Sequence, residues 1–250
     1  MSYTIYSLPG CTRCKILKQC MSEQGLAYTE KDTQADGKEE FQKFYSQNRK
    51  SIFRGSVGIE FPILASSEGI WQGLPKTLAQ ILFGNKLNGF VSLGTLHKEW
   101  VDGLHISGGE PAYADEFLQL LHYIKDNNMQ LQIDTDGRHP EILHRVFVDN
   151  LASVLIFNAQ DASSPDVQKS LKLAVKFPVY KIHTIVSPSI TPAEVGNIAR
   201  MIGEITGNIK TPYLLFADFK DETTNLLSHR SAARKHLVLA DIATNTEGTV

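Results

Sequence analysis

Residues 3–25 read YTIYSLPGCTRCKILKQCMSEQG and place two cysteines where one periodic pattern gives way to another. Residues 3–8 favour a strand, which ends at a Pro-Gly turn. After Cys14, apolar side chains recur at helical spacing until Gly25, which predicts a helix that begins at the cysteines. The sequence therefore predicts a strand–turn–helix unit with Cys11 and Cys14 in the turn.

The position of the two cysteines favours redox chemistry. The start of a helix presents free backbone N–H groups and the positive end of the helix dipole, and both stabilise a thiolate. Arg13 adds a cation between the cysteines, so we expect the pKa of Cys11 to be lowered, on the order of 7 or less. Cys14 is then placed to resolve a mixed disulfide, which is the chemistry of dithiol exchange.

The alternative interpretation of this pair is half of a zinc site. A structural zinc site needs four ligands, and no second Cys-x-x-Cys or Cys-x-x-His pair follows in the chain. The redox interpretation is therefore favoured, and no metal site is predicted. Cys20 falls on the apolar face of the same predicted helix, so we expect it to be a core residue rather than a third catalytic thiol.

Composition restricts the remaining possibilities. The chain has 250 residues, 42% of them hydrophobic and 21% charged, and a formal net charge of −2. This length favours two domains, and the charge balance gives no footprint for nucleic acid or an anionic membrane. All three cysteines lie near the N-terminus, with no signal-peptide or membrane-spanning pattern, so we expect a cytoplasmic protein.

The order of elements predicts an α/β fold class with two domains. Residues 1–85 follow the order β-α-β-α-β-β-α, and residues 84–89 have the composition of a linker. Over 86–250, strand and helix patterns alternate, which predicts a partial (β/α) barrel of about five to six parallel strands. The strands are predicted at 103–107, 130–134, 153–158, 179–186 and 213–217, and the helices at 114–127, 140–150, 165–176 and 192–206. A basic run at 230–236 is interpreted as a solvated face on a short helix.

Residues 4–32, TIYSLPGCTRCKILKQCMSEQGLAYTEKD, resemble the opening of glutaredoxins. Phe61-Pro62 stands where that family carries a cis-proline before a strand. The resemblance implies a thioredoxin fold in which the cis-proline loop packs beside the dithiol and offers backbone groups to a substrate chain.

A second segment, IWQGLPK at 70–76, is similar to redoxins that reduce ribonucleotide reductase. It departs from them at Leu74-Pro75, and the glutathione-binding glycine pair of ordinary glutaredoxins is missing. The resemblance implies a protein disulfide client and, as electron donor, a thioredoxin-reductase-like flavoprotein or glutathione. The substrate-binding residues that it implies are Arg13, Phe61, Pro62, Trp71 and Gly73.

EWVDGLHISGGEP at 99–111 and QLQIDTDG at 130–137 resemble segments of radical S-adenosylmethionine enzymes, especially activases of glycyl-radical enzymes. The resemblance implies that Ser107, Gly108, Gly109 and Glu110 bind S-adenosylmethionine. That family holds an iron–sulfur cluster on a three-cysteine loop, and thiolates are required for it. No cysteine follows Cys20, so we expect a domain without radical chemistry and no required cofactor, with S-adenosylmethionine as an optional ligand.

The sequence thus predicts a thiol–disulfide oxidoreductase that reduces a protein disulfide. The fused segment points to a client near glycyl-radical chemistry, such as an anaerobic ribonucleotide reductase, by analogy between families. Two alternatives stay open. One is a glycyl-radical activase whose cluster ligands are displaced to the N-terminal cysteines, and the other is a non-enzymatic adaptor that senses redox state.

Overall fold

The computed structural model describes residues 2–55, 58–96, 98–186, 190–207, 212–217 and 234–238. The chain divides into two compact units, Met1–Gln132 and Ile133–Val250. The predicted domain boundary at residue 85 stays a prediction. Among the helices of these described ranges, none has the length and apolarity needed to cross a membrane.

The first unit begins with a mixed sheet and continues into alternating strands and helices. Its elements are β1 (Tyr3–Ser7), α1 (Thr12–Glu23), β2 (Tyr28–Asp32), α2 (Lys38–Gln47), β3 (Arg54–Gly55), β4 (Gly58–Ile59), β5 (Ile63–Ser66), β6 (Gly69–Gln72), α3 (Leu74–Phe83), β7 (Trp100–His105), α4 (Ala114–Asp126) and the start of β8 (Gln130–Thr135). Two 3-10 helices, Gly84–Leu87 and Pro111–Tyr113, precede β7 and α4.

The first sheet has the strand order β2-β1-β5-β6. β1 runs parallel to β2 and antiparallel to β5, and β5 is antiparallel to β6. This arrangement is thioredoxin-like and confirms the predicted fold class for this part of the chain. The antiparallel pairing of β3 with β4 was not predicted, because strands of two residues are too short to show an alternating pattern.

Helix α1 packs as its sequence pattern predicts. Ile16, Leu17, Cys20 and Met21 are all at most 4% exposed, so they form the apolar face that covers the sheet. An aromatic cluster covers the other side of the cysteine turn, where Tyr6 stacks on Phe44 with ring centroids 4.4 Å apart. These large aromatic rings pack in or against the same buried cluster as Cys14, so the cysteine turn lies on an apolar surface.

The segment 84–89, for which the composition predicts a linker, has one buried side chain. The segment forms the 3-10 helix Gly84–Leu87, and Leu87 is fully buried. Lys86 Nζ also lies 2.9 Å from Glu116 Oε1 on α4. The burial of Leu87 could not be predicted, because one leucine among polar residues in a segment of six gives no periodic signal.

The second unit completes an α/β arrangement. After the end of β8 it contains α5 (Pro140–Val148), β9 (Val154–Asn158), α6 (Pro165–Ala174), β10 (Tyr180–Val186), α7 (Pro192–Thr206), β11 (Pro212–Ala217) and β12 (Arg234–Val238). The second sheet has the order β12-β11-β10-β9-β8-β7. β9, β10 and β11 are parallel, and β12 is antiparallel to β11.

This sheet confirms the second half of the predicted fold class, with five parallel strands and one antiparallel edge strand. The helix starts follow local rules: α7 begins with a capping box between Thr191 and Glu194, and Ser164 accepts a hydrogen bond at the start of α6. The predicted helical basic run is wrong over 234–236, which belong to β12. Residues 230–233 of that run lie outside the described residues.

Candidate redox site

Cys11 and Cys14 form a disulfide at the start of α1, with their Cα atoms 5.3 Å apart. Cys11 is the N-cap residue, and its Sγ accepts a hydrogen bond from the backbone N–H of Cys14 at 3.1 Å. Cys11 is partly exposed, whereas Cys14 is only 2% exposed. Of the two sulfurs, that of Cys11 is therefore the more accessible, and a backbone N–H is directed at it.

The peptide bond between Phe61 and Pro62 is cis, which is the geometry that the resemblance implies. Phe61 belongs to the same buried cluster as Cys14, so the cis-proline loop packs beside the dithiol. The carbonyl oxygen of Pro62 accepts a hydrogen bond from the N–H of Gly73 at 2.9 Å. Gly73 is the N-cap of α3, with a φ of 83°, a conformation that favours glycine.

The side chain of Gln72 holds the chain before the cis-proline through hydrogen bonds. Its side-chain amide receives the N–H of Phe53 at 2.8 Å and donates to the carbonyl oxygens of Phe53 and Glu60. Gln72 is 6% exposed, and burial is tolerated because its amide is hydrogen-bonded on both sides. This role could not be predicted from the sequence, since a single glutamine in a strand has no distinctive spacing.

Arg13, the cation that the sequence places between the cysteines, is buried and paired. It is 8% exposed, and its guanidinium forms an ion pair with Glu60 and donates to the carbonyl oxygens of Leu96 and Trp100. Glu60 compensates its charge, so the contribution of Arg13 to a thiolate at Cys11 is reduced. Its predicted role in binding substrate stays a prediction.

A cavity of about 860 Å³ lies beside Cys11. Its lining residues are Leu8, Gly10, Cys11, Thr12, Arg13, Gly58, Ile59, Glu60, Phe61, Lys98, Glu99, Asn127, Asn128 and Met129. Trp71 and Gly73 are not among the described residues that line it. Trp71 is partly exposed and pairs with Leu64 across β5 and β6, so its substrate role stays a prediction.

Three features indicate the same fold: the strand order of the first sheet, the cis-proline and the cysteine pair. The N-terminal fold is thioredoxin-like. No protein-family model and no curated protein matches the chain. Among solved structures, the chain is similar to the glutaredoxin-like protein NrdH-redoxin from Escherichia coli, which is described as having a thioredoxin-like activity profile.

That similarity amounts to 22% identity, covers 30% of this chain and 84% of that chain, and has a TM-score of 0.24. A similarity with so low a TM-score is not used to assign the fold or the function of this chain. The assignment of the fold rests on the strand order and the cysteine turn of this chain.

The glycine segment after β7 is occupied by the chain's own packing. A Cβ on Gly108 would lie 2.2 Å from the carbonyl oxygen of Gly89, and a Cβ on Gly109 would lie 2.0 Å from the ring of Phe90. The two glycines thus allow a close internal approach of backbone and ring. Ser107 is partly exposed and Glu110 is exposed, and S-adenosylmethionine binding at these four residues stays a prediction.

Cys20 is separated from the dithiol by its burial. It is fully buried, and burial raises the pKa of its thiol to about 11, against a smaller opposing effect of its hydrogen bond with Tyr123. Tyr123 also donates to Glu23 at 2.8 Å. A neutral, buried thiol is a core residue, as predicted. Within the described ranges, no group of three or more His, Cys, Asp or Glu side chains could hold a metal ion.

Proposed function

We propose that this chain is a thiol–disulfide oxidoreductase in which Cys11 is the nucleophile and Cys14 the resolving thiol. The observation that carries the proposal is the difference between the two sulfurs: Cys11 is partly exposed and lines a cavity, whereas Cys14 is 2% exposed. In exchange reactions the accessible thiolate attacks and the shielded one resolves.

The reaction starts from the reduced pair. The Cys11 thiolate attacks one sulfur of the client disulfide, forms a mixed disulfide and releases the other client sulfur as a thiolate. Cys14 then loses its proton to solvent and attacks Cys11 Sγ, which forms the Cys11–Cys14 disulfide and releases the second client thiol. Two electrons pass from the chain to the client, and an external dithiol or flavoprotein donor returns them.

Backbone groups supply the activation. The N–H of Cys14 donates to Cys11 Sγ at 3.1 Å, and the other unpaired N–H groups of the first turn of α1 add the positive end of the helix dipole. The cis Phe61-Pro62 loop packs against Cys14 in the buried cluster, so the resolving thiol stays close to the mixed disulfide that it must attack.

The client and the donor rest on the resemblance alone. On that basis we propose a cytoplasmic protein disulfide as substrate, with an anaerobic ribonucleotide reductase or another glycyl-radical enzyme as the specific client. A thioredoxin-reductase-like flavoprotein or glutathione is the proposed donor. The region after residue 86 is proposed to descend from a radical S-adenosylmethionine activase without its cluster loop, since its glycine segment and strand order follow that pattern.

Trapping tests the proposal. Cys14→Ser should accumulate a mixed disulfide with a disulfide substrate, detected by mass spectrometry, while Cys11→Ser should form none and Cys20→Ser should turn over like the wild type. The wild-type couple should titrate as two electrons at roughly −270 mV, the value typical of thioredoxin. Equal trapping in all three variants, or no reduction of any disulfide by the wild type, would favour the adaptor. A brown, iron-containing protein after anaerobic purification would favour the displaced-cluster activase.

A further inference from the structure

The cavity beside Cys11 has two walls of different origin. One wall belongs to the thioredoxin-like fold and runs from Leu8 through the cysteine turn to the Gly58–Phe61 segment. The other consists of Lys98, Glu99 and the Asn127–Met129 segment, which follow α3 and lie outside the mixed sheet. The surface that an incoming disulfide meets is therefore built partly by residues beyond the redoxin fold.

The second wall is fixed to the redox turn. Arg13, between the two cysteines, donates to the carbonyl oxygens of Leu96 and Trp100 on either side of Lys98 and Glu99. The carboxylate of Asp102 accepts the N–H of Leu96 at 2.9 Å. These contacts tie the wall to the redox turn, because the Arg13 guanidinium and the Asp102 carboxylate both bind backbone atoms of the same segment.

The wall is also anchored from the other end. The carbonyl oxygen of Glu99 accepts the N–H of Gln130 at 2.7 Å, and the side chain of Asn127 donates to the carbonyl oxygen of Tyr123 at 2.9 Å. The backbone beside Lys98 and Glu99 is therefore held on both sides, while both of these side chains are exposed. Rigid backbone with free charged side chains is suited to selecting a ligand by charge.

We propose that Lys98 and Glu99 select the client of the dithiol, and that this client is a charged peptide segment carrying the disulfide. This inference rests on the proposed oxidoreductase function. A volume of about 860 Å³ is in the range of ligand-binding cavities, roughly 300–1,000 Å³. A cavity of this size accommodates a short peptide segment.

The two charges are of opposite sign, so each attracts a different residue of the client. Lys98 attracts an acidic residue beside the client cysteine, and Glu99 attracts a basic one. Replacing either residue by one of opposite charge gives positions 98 and 99 the same charge. Because both side chains are exposed, the effect is limited by solvent and falls as salt shortens the Debye length.

The experiment uses two disulfide peptides that differ only in carrying Asp or Lys beside the cysteine, with hydroxyethyl disulfide as a neutral reference. For each variant, the ratio of kcat/KM for the basic and acidic peptides is measured. Lys98→Glu should raise this ratio by roughly tenfold and Glu99→Lys should lower it by a similar factor, and both effects should shrink in 0.5 M salt. Lys43→Glu, at an exposed position of α2, makes the same change in net charge at a residue that does not line the cavity.

The outcomes separate the two proposals. If the wild type reduces hydroxyethyl disulfide but the peptide ratio moves no further in Lys98→Glu than in Lys43→Glu, the selection by Lys98 and Glu99 is wrong and the oxidoreductase stands. Exclusion of both peptides with rapid reduction of hydroxyethyl disulfide would also overturn the peptide client, in favour of a small disulfide. If the wild type reduces none of the three, the oxidoreductase itself fails and the inference falls with it.

Discussion

Replacing Arg13 by methionine should destabilise the first unit far more than a surface substitution does. The side chains of Arg13 and Glu60 are 10% and 15% exposed. Methionine keeps much of the volume but removes the charge and every donor, so the largely buried Glu60 carboxylate loses its ion-pair partner. Breaking a buried ion pair by removing one partner costs about 3–5 kcal/mol.

Two companion variants, Glu60→Gln and the double variant, show how much of this free energy of unfolding each residue contributes. Glu60→Gln leaves Arg13 with the carbonyl oxygens of Leu96 and Trp100, so it should cost about 1–3 kcal/mol. In Arg13→Met/Glu60→Gln no buried charge stands alone. The double variant should therefore be more stable than the sum of the two single changes predicts, by about 2 kcal/mol.

Urea unfolding followed by tryptophan fluorescence measures these values. The chain has two tryptophans, Trp71 and Trp100, and both belong to the first unit. The protein is kept reduced so that all variants share one state of the Cys11–Cys14 pair. With a typical urea slope of about 2 kcal/mol per M, Arg13→Met should lower the midpoint by about 2 M.

Arg54→Met is the matched control. Arg54 is exposed on β3, and surface substitutions of this kind usually change stability by no more than about 0.5 kcal/mol. An Arg13→Met variant as stable as Arg54→Met, or effects of Arg13 and Glu60 that simply add, would refute the view that this ion pair clamps the redox turn to the 96–100 segment.

Two further substitutions test the packing of the same unit. Gly109→Ala should lose about 2–4 kcal/mol in urea unfolding, because the new Cβ would lie 2.0 Å from the ring of Phe90, and Phe90→Leu in the same chain should recover part of it; a neutral Gly109→Ala would mean that the glycine is not there for packing. Burial raises the pKa of Cys20 from 9.0 to about 11, so the folded chain keeps a proton that the unfolded chain loses, and this contribution is complete below pH 9 and lost between pH 9 and 11. Wild type should thus lose about 2–3 kcal/mol more than Cys20→Ala over that interval, and parallel stability curves for the two proteins would contradict the assignment.

Much of this fold could be predicted because its signals are local. Each signal lies within a few residues of the element that it defines. Examples are the helical spacing after Cys14, the Pro-Gly turn before it, and the prolines that begin α5, α6 and α7. The same holds for the dithiol, whose chemistry depends on one helix start. The second sheet was also readable, since its strands and helices alternate regularly.

The rest depends on residues that are far apart in the chain. Arg13 pairs with Glu60 at a separation of 47 residues and reaches Trp100 at a separation of 87. No periodicity joins such positions, and the compensation of a charge cannot be read from the residue that carries it. For the same reason Lys98 and Glu99 had no visible link to Cys11, although the structure places all three around one cavity.

Arg13 shows why this matters for chemistry. Its place between the cysteines favours a role as the cation that activates Cys11, yet its guanidinium is paired with Glu60 and directed at two carbonyl oxygens. A compensated charge acts on a neighbouring thiolate much less than a free one. The N–H of Cys14, 3.1 Å from Cys11 Sγ, is not compensated in this way, because helix geometry leaves it without a carbonyl partner in the first turn. In the proposed reaction, activation of Cys11 therefore comes from the backbone of α1, while Arg13 binds the carbonyl oxygens of Leu96 and Trp100.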